Sequence, residues 1–263
     1  MNVVIGGNAI QISTSSAAFD ETLRAQYAGF IAPQNGPSIQ LTVDLTPPSL
    51  PDPDADIEVH SEVHSAGTRW IMRRGDFQAS YDPAARTGVV RQSASRHSVD
   101  SVIRIIHSLT LAEQTGFLLH AASVVIDGRA LIFAGPSGAG KTTISRLAPA
   151  DAHLLTDEIS YVRKMPDSWT AFGTPFAGEL ARPGENRSAA IEALYLLKHG
   201  AENQARALSR AAAARSILRN ILFFAGDCAL ANLLFDTVCD FVAAIPVVEL
   251  SFVPDARIWE LVR

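Results

Sequence analysis

The segment Gly135-Pro136-Ser137-Gly138-Ala139-Gly140-Lys141-Thr142 satisfies the pattern G-x-x-x-x-G-K-[ST] in full. A chain that carries it is restricted to folds in which a strand runs into a glycine-rich turn and a helix follows, because that turn aims backbone N–H groups inward around an anion. The flanks agree: RALIFAG is an apolar strand-like run before the loop, and Ile144 and Leu147 give helical spacing after it. Lys141 is expected to reach the β- and γ-phosphates of a nucleotide, Thr142 to ligate Mg²⁺, and Thr143 to extend the cradle. A helix starting near Lys141 would aim its positive dipole end at the same anion.

The chain around this motif divides in two. Residues 1–97 consist of short apolar runs broken by polar turns and predict a small β-rich unit. Its densest breaker, with Pro47, Pro48, Pro51 and Pro53, predicts a loop. Thr68–Ile71 and Phe77–Tyr81 flank Arg73-Arg74-Gly75-Asp76 as a hairpin, and Gly88–Arg91 adds a strand. From Ser98 the rhythm becomes helical through Val99, Val102, Ile103, Ile106 and Leu109, with Ser98 as the cap and Gly116 as the stop. Residues 98–263 then predict an α/β domain with a mixed sheet and flanking helices. FLLHAASVVI and RALIFAG form a hairpin across Asp127-Gly128. Val247–Val253 reads as a strand, Ala193–Leu197 as strand or helix, and helices start at Ser209 and near Ala229. No internal repeat is present.

A phosphate loop needs acidic partners, and the first are Asp157 and Glu158 at the end of the run His153–Thr156. Asp157 follows Lys141 by only 16 residues, so one short helix returns directly to the next strand. In most proteins with this loop the metal-binding acid arrives later in the chain.

Residues from about Leu118 to Glu179 resemble the HPr kinase/phosphorylase group and its relatives of the phosphoenolpyruvate-carboxykinase-like fold, among them kinases that tailor ribosomal peptides such as lasso peptides. The resemblance is carried by His120 in LLHAASVVIDG, by GPSGAGKT, and by the acidic pair in LLTDE. In the HPr kinases the histidine precedes the loop lysine by the interval found here, 21 residues, and the acidic pair reads Asp-Asp. The resemblance implies a P-loop domain in which His120 lies beside the loop and Lys141 and Thr142 take the phosphate and metal roles. It implies that Asp157 or Glu158 is the base, and that Asp157 and Glu179, in GTPFAGE, are further metal ligands. The implied activity is ATP- and Mg²⁺-dependent transfer of the γ-phosphoryl group to a serine hydroxyl of a peptide or small protein, by an oligomer in the HPr kinases. The family's later arginine-containing motif has no counterpart, which implies a kinase working in one direction.

The rest of the sequence sets bounds. Lys and Arg number 22 against 27 Asp and Glu, a formal net charge of −5, which excludes a broad cationic face for nucleic acid. No apolar run approaches the roughly 20 residues that cross a bilayer, and the N-terminus lacks the pattern of a secretory signal, so a cytoplasmic protein without a membrane partner is expected. Cys228 and Cys239 share one predicted helix at about 16 Å spacing, beyond disulfide reach, and are expected as buried thiols. Arg182 and Arg187 read as loop arginines in water, and Arg210, Arg215 and Arg219 as the solvated face of a helix. Two other classes remain open: a nucleotide-binding regulatory or assembly module with little turnover, and, ranked last, an NTPase coupled to mechanical work.

Overall fold

The computed structural model describes residues 1–33, 36, 38–46, 54–65 and 67–262. The loop expected around Pro47, Pro48, Pro51 and Pro53 lies outside these residues. Two compact units are present, one formed by residues 1–110 with 223–231 and the other by residues 111–222 with 232–263.

The first unit is built on β1 (Asn2–Ile5), β2 (Asn8–Thr14), α1 (Ala17–Gln26), β3 (Ser38–Asp44), β4 (Glu58–His64), β5 (Gly67–Arg74), β6 (Phe77–Asp82), β7 (Thr87–Gln92) and most of α2 (Arg96–Glu113). The seven strands form one sheet in the order β1-β2-β3-β7-β6-β5-β4, with the two pairings of β3, to β2 and to β7, parallel. Strands β6 and β7 alternate strictly between a buried face and one facing outward, the mark of a sheet packed on one side. The β5–β6 hairpin and the strand through Gly88–Arg91 stand where the sequence puts them.

The boundary expected at residue 97 moves, because the first half of α2 is tied to this unit. Ser98 does not cap the helix, which begins two residues earlier; its hydroxyl donates to the Asp76 carboxylate at 2.6 Å. Asp100 accepts from the Gln26 amide at 2.7 Å and from the Tyr27 hydroxyl. Gly116 is not the helix stop either: Thr115 takes the left-handed turn (φ 54°), and Gly116 opens the next strand, where a Cβ would lie 2.6 Å from the Val162 carbonyl oxygen.

The second unit contains β8 (Gly116–Ile126), β9 (Arg129–Ala134), α3 (Lys141–Arg146), β10 (His153–Thr156), β11 (Ile159–Lys164), β12 (Trp169–Phe172), β13 (Ser188–His199), β14 (Gln204–Ala207), α4 (Arg210–Leu218), most of α5 (Cys228–Ala244), β15 (Val247–Phe252) and α6 (Ile258–Val262). Asp127 (φ 50°) and Gly128 (φ 75°) make the tight turn that folds β8 onto β9. The segment Ala193–Leu197, open to either reading from its pattern, is strand, and it pairs in parallel with β9 and β15. Pairings β8–β11–β12–β13–β9–β8 close a five-strand ring, from which β10 branches at one end and β15 and β14 at the other. The closure has no local signal, because β8 and β13 are long enough to pair with different neighbours along their length.

Beneath β9 the core gathers Val124, Leu131, Phe133, Ile144, Tyr195 and Trp259. Phe133 stacks on Tyr195 with ring centroids 5.3 Å apart and meets Trp259 edge-on at 5.5 Å. Rings packed this way are worth about 0.5–1.5 kcal/mol beyond the area they bury. Both cysteines lie on α5, but they are exposed rather than buried. The spacing placed them on one face of the helix and could not say which face packs. Among the described residues no helix is long and apolar enough to cross a membrane.

His107 on α2 is fully buried, and burial pulls its pKa from 6.5 to about 4. The unfolded chain therefore binds a proton between those values while the folded chain does not, so stability falls as the pH drops from 6.5 towards 4. That contribution is about 3 kcal/mol at pH 4. In urea titrations at pH 7 and pH 4.5, His107→Gln is expected to show a smaller acid loss of stability than wild type; equal losses would remove His107 as a cause.

Candidate active site

Strand β9 is hydrogen-bonded on both sides, by β8 and by β13, and delivers Gly135 at its end. The loop that follows is shaped by two glycines with positive φ, Gly138 (79°) and Gly140 (101°). Non-glycine residues are strained there, and the alternation turns successive backbone N–H groups to one side. Close packing fixes the loop from below: a Cβ on Gly135 would lie 2.8 Å from that of Ala139, and one on Gly140 would lie 2.5 Å from the Phe252 ring. From outside, a His199 ring nitrogen at the end of β13 lies 2.8 Å from the Gly138 carbonyl oxygen and donates to it. The sequence reading passed over His199, since its link to the loop spans 61 residues.

Lys141 is the first residue of α3 and is 7% exposed. Its ammonium donates to the carbonyl oxygens of Gly135 (2.9 Å) and Pro136 (3.1 Å), so it is folded back onto the entrance of the loop. Burial lowers its pKa, while the charges of Glu158 and Glu179 oppose that shift. Both expected carboxylates, Glu158 and Glu179, thus stand close enough to favour the charged form of Lys141. Thr142 and Thr143 are half-buried in the first turn of α3, and Ser137 is exposed. With six residues α3 completes less than two turns, so its dipole is short and would add little to what the loop N–H groups and the lysine could offer an anion.

Asp157 and Glu158, adjacent at the end of β10, are placed differently. Asp157 is 2% exposed, and its two oxygens accept from the backbone N–H groups of Gly178 (3.0 Å) and Leu180 (2.8 Å). It fastens the segment that carries Glu179. Glu158 is half-buried and exposed to that segment: a Cβ on Gly178 would meet its Oε2 at 2.8 Å. The rest of the segment is held on β10 by backbone bonds from Thr174 to Leu155 (3.0 Å) and from Glu185 to Leu154 (2.8 Å). Gly184 sits so close that a Cβ would lie 1.7 Å from the Leu155 carbonyl oxygen. Arg187 pairs with Glu185 at 3.1 Å, and Arg182 is exposed.

His120 on β8 lies opposite Ile159, one residue beyond Glu158. Its backbone N–H donates to the Asn220 carbonyl at 2.8 Å, and it lines a cavity of about 530 Å³ together with Gly135, Pro136 and Arg219. Arg219, expected as part of a solvated helix face, therefore stands beside the loop; Arg210 and Arg215 line a separate groove. Among the described residues no cluster of three or more His, Cys, Asp or Glu side chains is arranged to hold a metal ion by itself. Mg²⁺ bound with phosphates does not require one, since it takes one or two carboxylates, substrate oxygens and water.

Residues 92–263 match the family described as SynChlorMet cassette protein ScmC. The chain belongs to that family. No curated protein matches the sequence. The matched span contains every residue of the candidate site and leaves out most of the first unit.

Gly140→Ala tests how rigidly the loop is seated, because it adds both a clash with Phe252 and a strained φ. In urea denaturation it is expected to cost about 1–3 kcal/mol. Gly140→Ala combined with Phe252→Leu should recover part of the loss but not all, and full recovery would show that φ strain contributes nothing.

Proposed function

We propose that the protein is an ATP- and Mg²⁺-dependent kinase that transfers the γ-phosphoryl group to a hydroxyl, of the HPr kinase-like type, with a serine of a peptide or small protein as acceptor. One observation carries the reading: a half-buried carboxylate, Glu158, stands near enough to favour the charge of Lys141, whose ammonium is folded onto two carbonyls of the glycine-rich loop. A carboxylate beside the loop lysine can accept the proton of a hydroxyl brought to the bound phosphate, a step that nucleotide binding alone does not need.

The chemistry follows from the parts. Loop N–H groups and Lys141 hold the β- and γ-phosphates, and on nucleotide binding the ammonium exchanges the Gly135 and Pro136 carbonyls for phosphate oxygens. Thr142 and Asp157, with Glu179 in support, are the groups suited to Mg²⁺, which supplies positive charge to the phosphate oxygens when bound. Each Asp157 oxygen already accepts one backbone hydrogen bond and keeps a lone pair, so it can do both tasks. Glu158, whose carboxylate is not fastened to the segment after β12, is the better base. It takes the proton of the acceptor hydroxyl as that oxygen bonds to the γ-phosphorus. The bond from that phosphorus to the β–γ bridging oxygen breaks, and ADP leaves with the electron pair.

The test is label transfer from γ-labelled ATP with Mg²⁺ to a library of serine peptides, with nucleotide affinity measured in parallel. Glu158→Gln is expected to lower kcat by about 10²–10⁴-fold with little change in ATP affinity. Asp157→Asn should also loosen the segment that carries Glu179, seen as faster hydrogen exchange at Gly178 and Leu180. Tight ATP binding without transfer, and a Glu158→Gln protein that behaves as wild type, would favour the regulatory nucleotide-binding module.

A further inference from the structure

The β8 edge changes partner at the point where the loop leaves the sheet. Up to Ala121, opposite Ala134, it pairs with β9. From His120 towards the start of the strand it is taken by the segment after α4: the His120 N–H donates to the Asn220 carbonyl (2.8 Å), and the Leu222 N–H donates to the Leu118 carbonyl (2.9 Å). These backbone bonds fix Arg219 next to the exit of Gly135 from β9, and between them lies the cavity of about 530 Å³. That volume falls within the roughly 300–1,000 Å³ of small-ligand sites.

Its walls combine apolar groups, Ala134, Leu196 and Leu197, with Lys198, Glu249 and Arg219. Glu249 is overcompensated, since Lys198 (2.5 Å) and Arg206 (2.8 Å) both pair with it and hold its pKa down. Arg219 is exposed and forms no ion pair among the described residues. The cavity thus offers a surplus of positive charge beside an apolar floor, which suits an occupant with both carbon and carboxylate. The phosphates already have the loop and Lys141.

We propose that this cavity is the acceptor site, and that it selects a hydroxyl residue with a carboxylate next to it, the carboxylate pairing with Arg219. The inference rests on the kinase reading for the acceptor's role. The charge preference itself belongs to the cavity and can be read without turnover. An arginine meeting a carboxylate can do so with two parallel hydrogen bonds, which fixes the acceptor's orientation as well as its charge.

The experiment uses three fluorescein-labelled peptides that differ only at the residue after serine: Asp, Asn or Lys. Binding is measured by polarisation without nucleotide, and label transfer from γ-labelled ATP is measured separately. Wild type is expected to prefer Ser-Asp over Ser-Asn by about tenfold, with Ser-Lys weakest. Arg219→Gln should level the series, and Arg219→Glu should invert it, with KM for ATP unchanged in both. The position is exposed, so both variants are expected to keep the wild-type melting temperature. An unchanged order of peptides in Arg219→Glu, or no peptide binding by wild type, overturns the proposal. So does a rise in KM for ATP, which would assign the cavity to the nucleoside. The kinase reading fails separately, when peptides bind in the expected order but none receives label.

Discussion

Burying an ammonium is costly, and the second unit is arranged to make the burial of Lys141 tolerable. Loss of water around a lysine favours its neutral form, and here that pressure is opposed twice. Two loop carbonyls accept from the ammonium, and two carboxylates act on it from across the site. Neither contribution survives if the loop or the acidic segment moves away. This is why both are so tightly held: the loop by the Phe252 ring under Gly140 and by His199 at Gly138, the acidic segment by Asp157 and the β10 backbone. A cation held by borrowed carbonyls is also easy to redirect, since a phosphate oxygen carries more charge than a peptide oxygen.

Features encoded by neighbouring residues were legible in the sequence. The Asp127-Gly128 turn, the strand-loop-helix around Gly135–Thr142 and the hairpin of β5 and β6 each depend on a few adjacent side chains or on one positive φ. The features that were not legible depend on distant parts of the chain. Closure of the five-strand ring needs β13 to meet β12 with its first residues and β9 and β15 with the rest. Ser98 looked like a helix cap because serine before an apolar run usually is one, yet a buried acceptor, Asp76, was available from the turn between β5 and β6. The exposure of Cys228 and Cys239, and the position of Arg219 in a cavity wall, follow from which face of a helix finds a partner, and periodicity does not encode that.

The two adjacent acids show how a short sequence signal divides into separate tasks. Asp157 and Glu158 lie in the bend between β10 and β11 and both carboxylates reach Gly178, yet they differ in burial and in hydrogen bonding. One is enclosed and takes two backbone N–H groups; the other is half-buried and acts on Lys141. A second aspartate at position 158 would present its carboxylate about one methylene short of the reach that glutamate has. The Asp-Glu order therefore suits a site in which the enclosed acid sets the frame and the longer one reaches into the cleft. If the site works as the kinase proposed above, glutamate in place of the second aspartate carries the base about one methylene further out, beside the segment that Asp157 holds at Gly178 and Leu180.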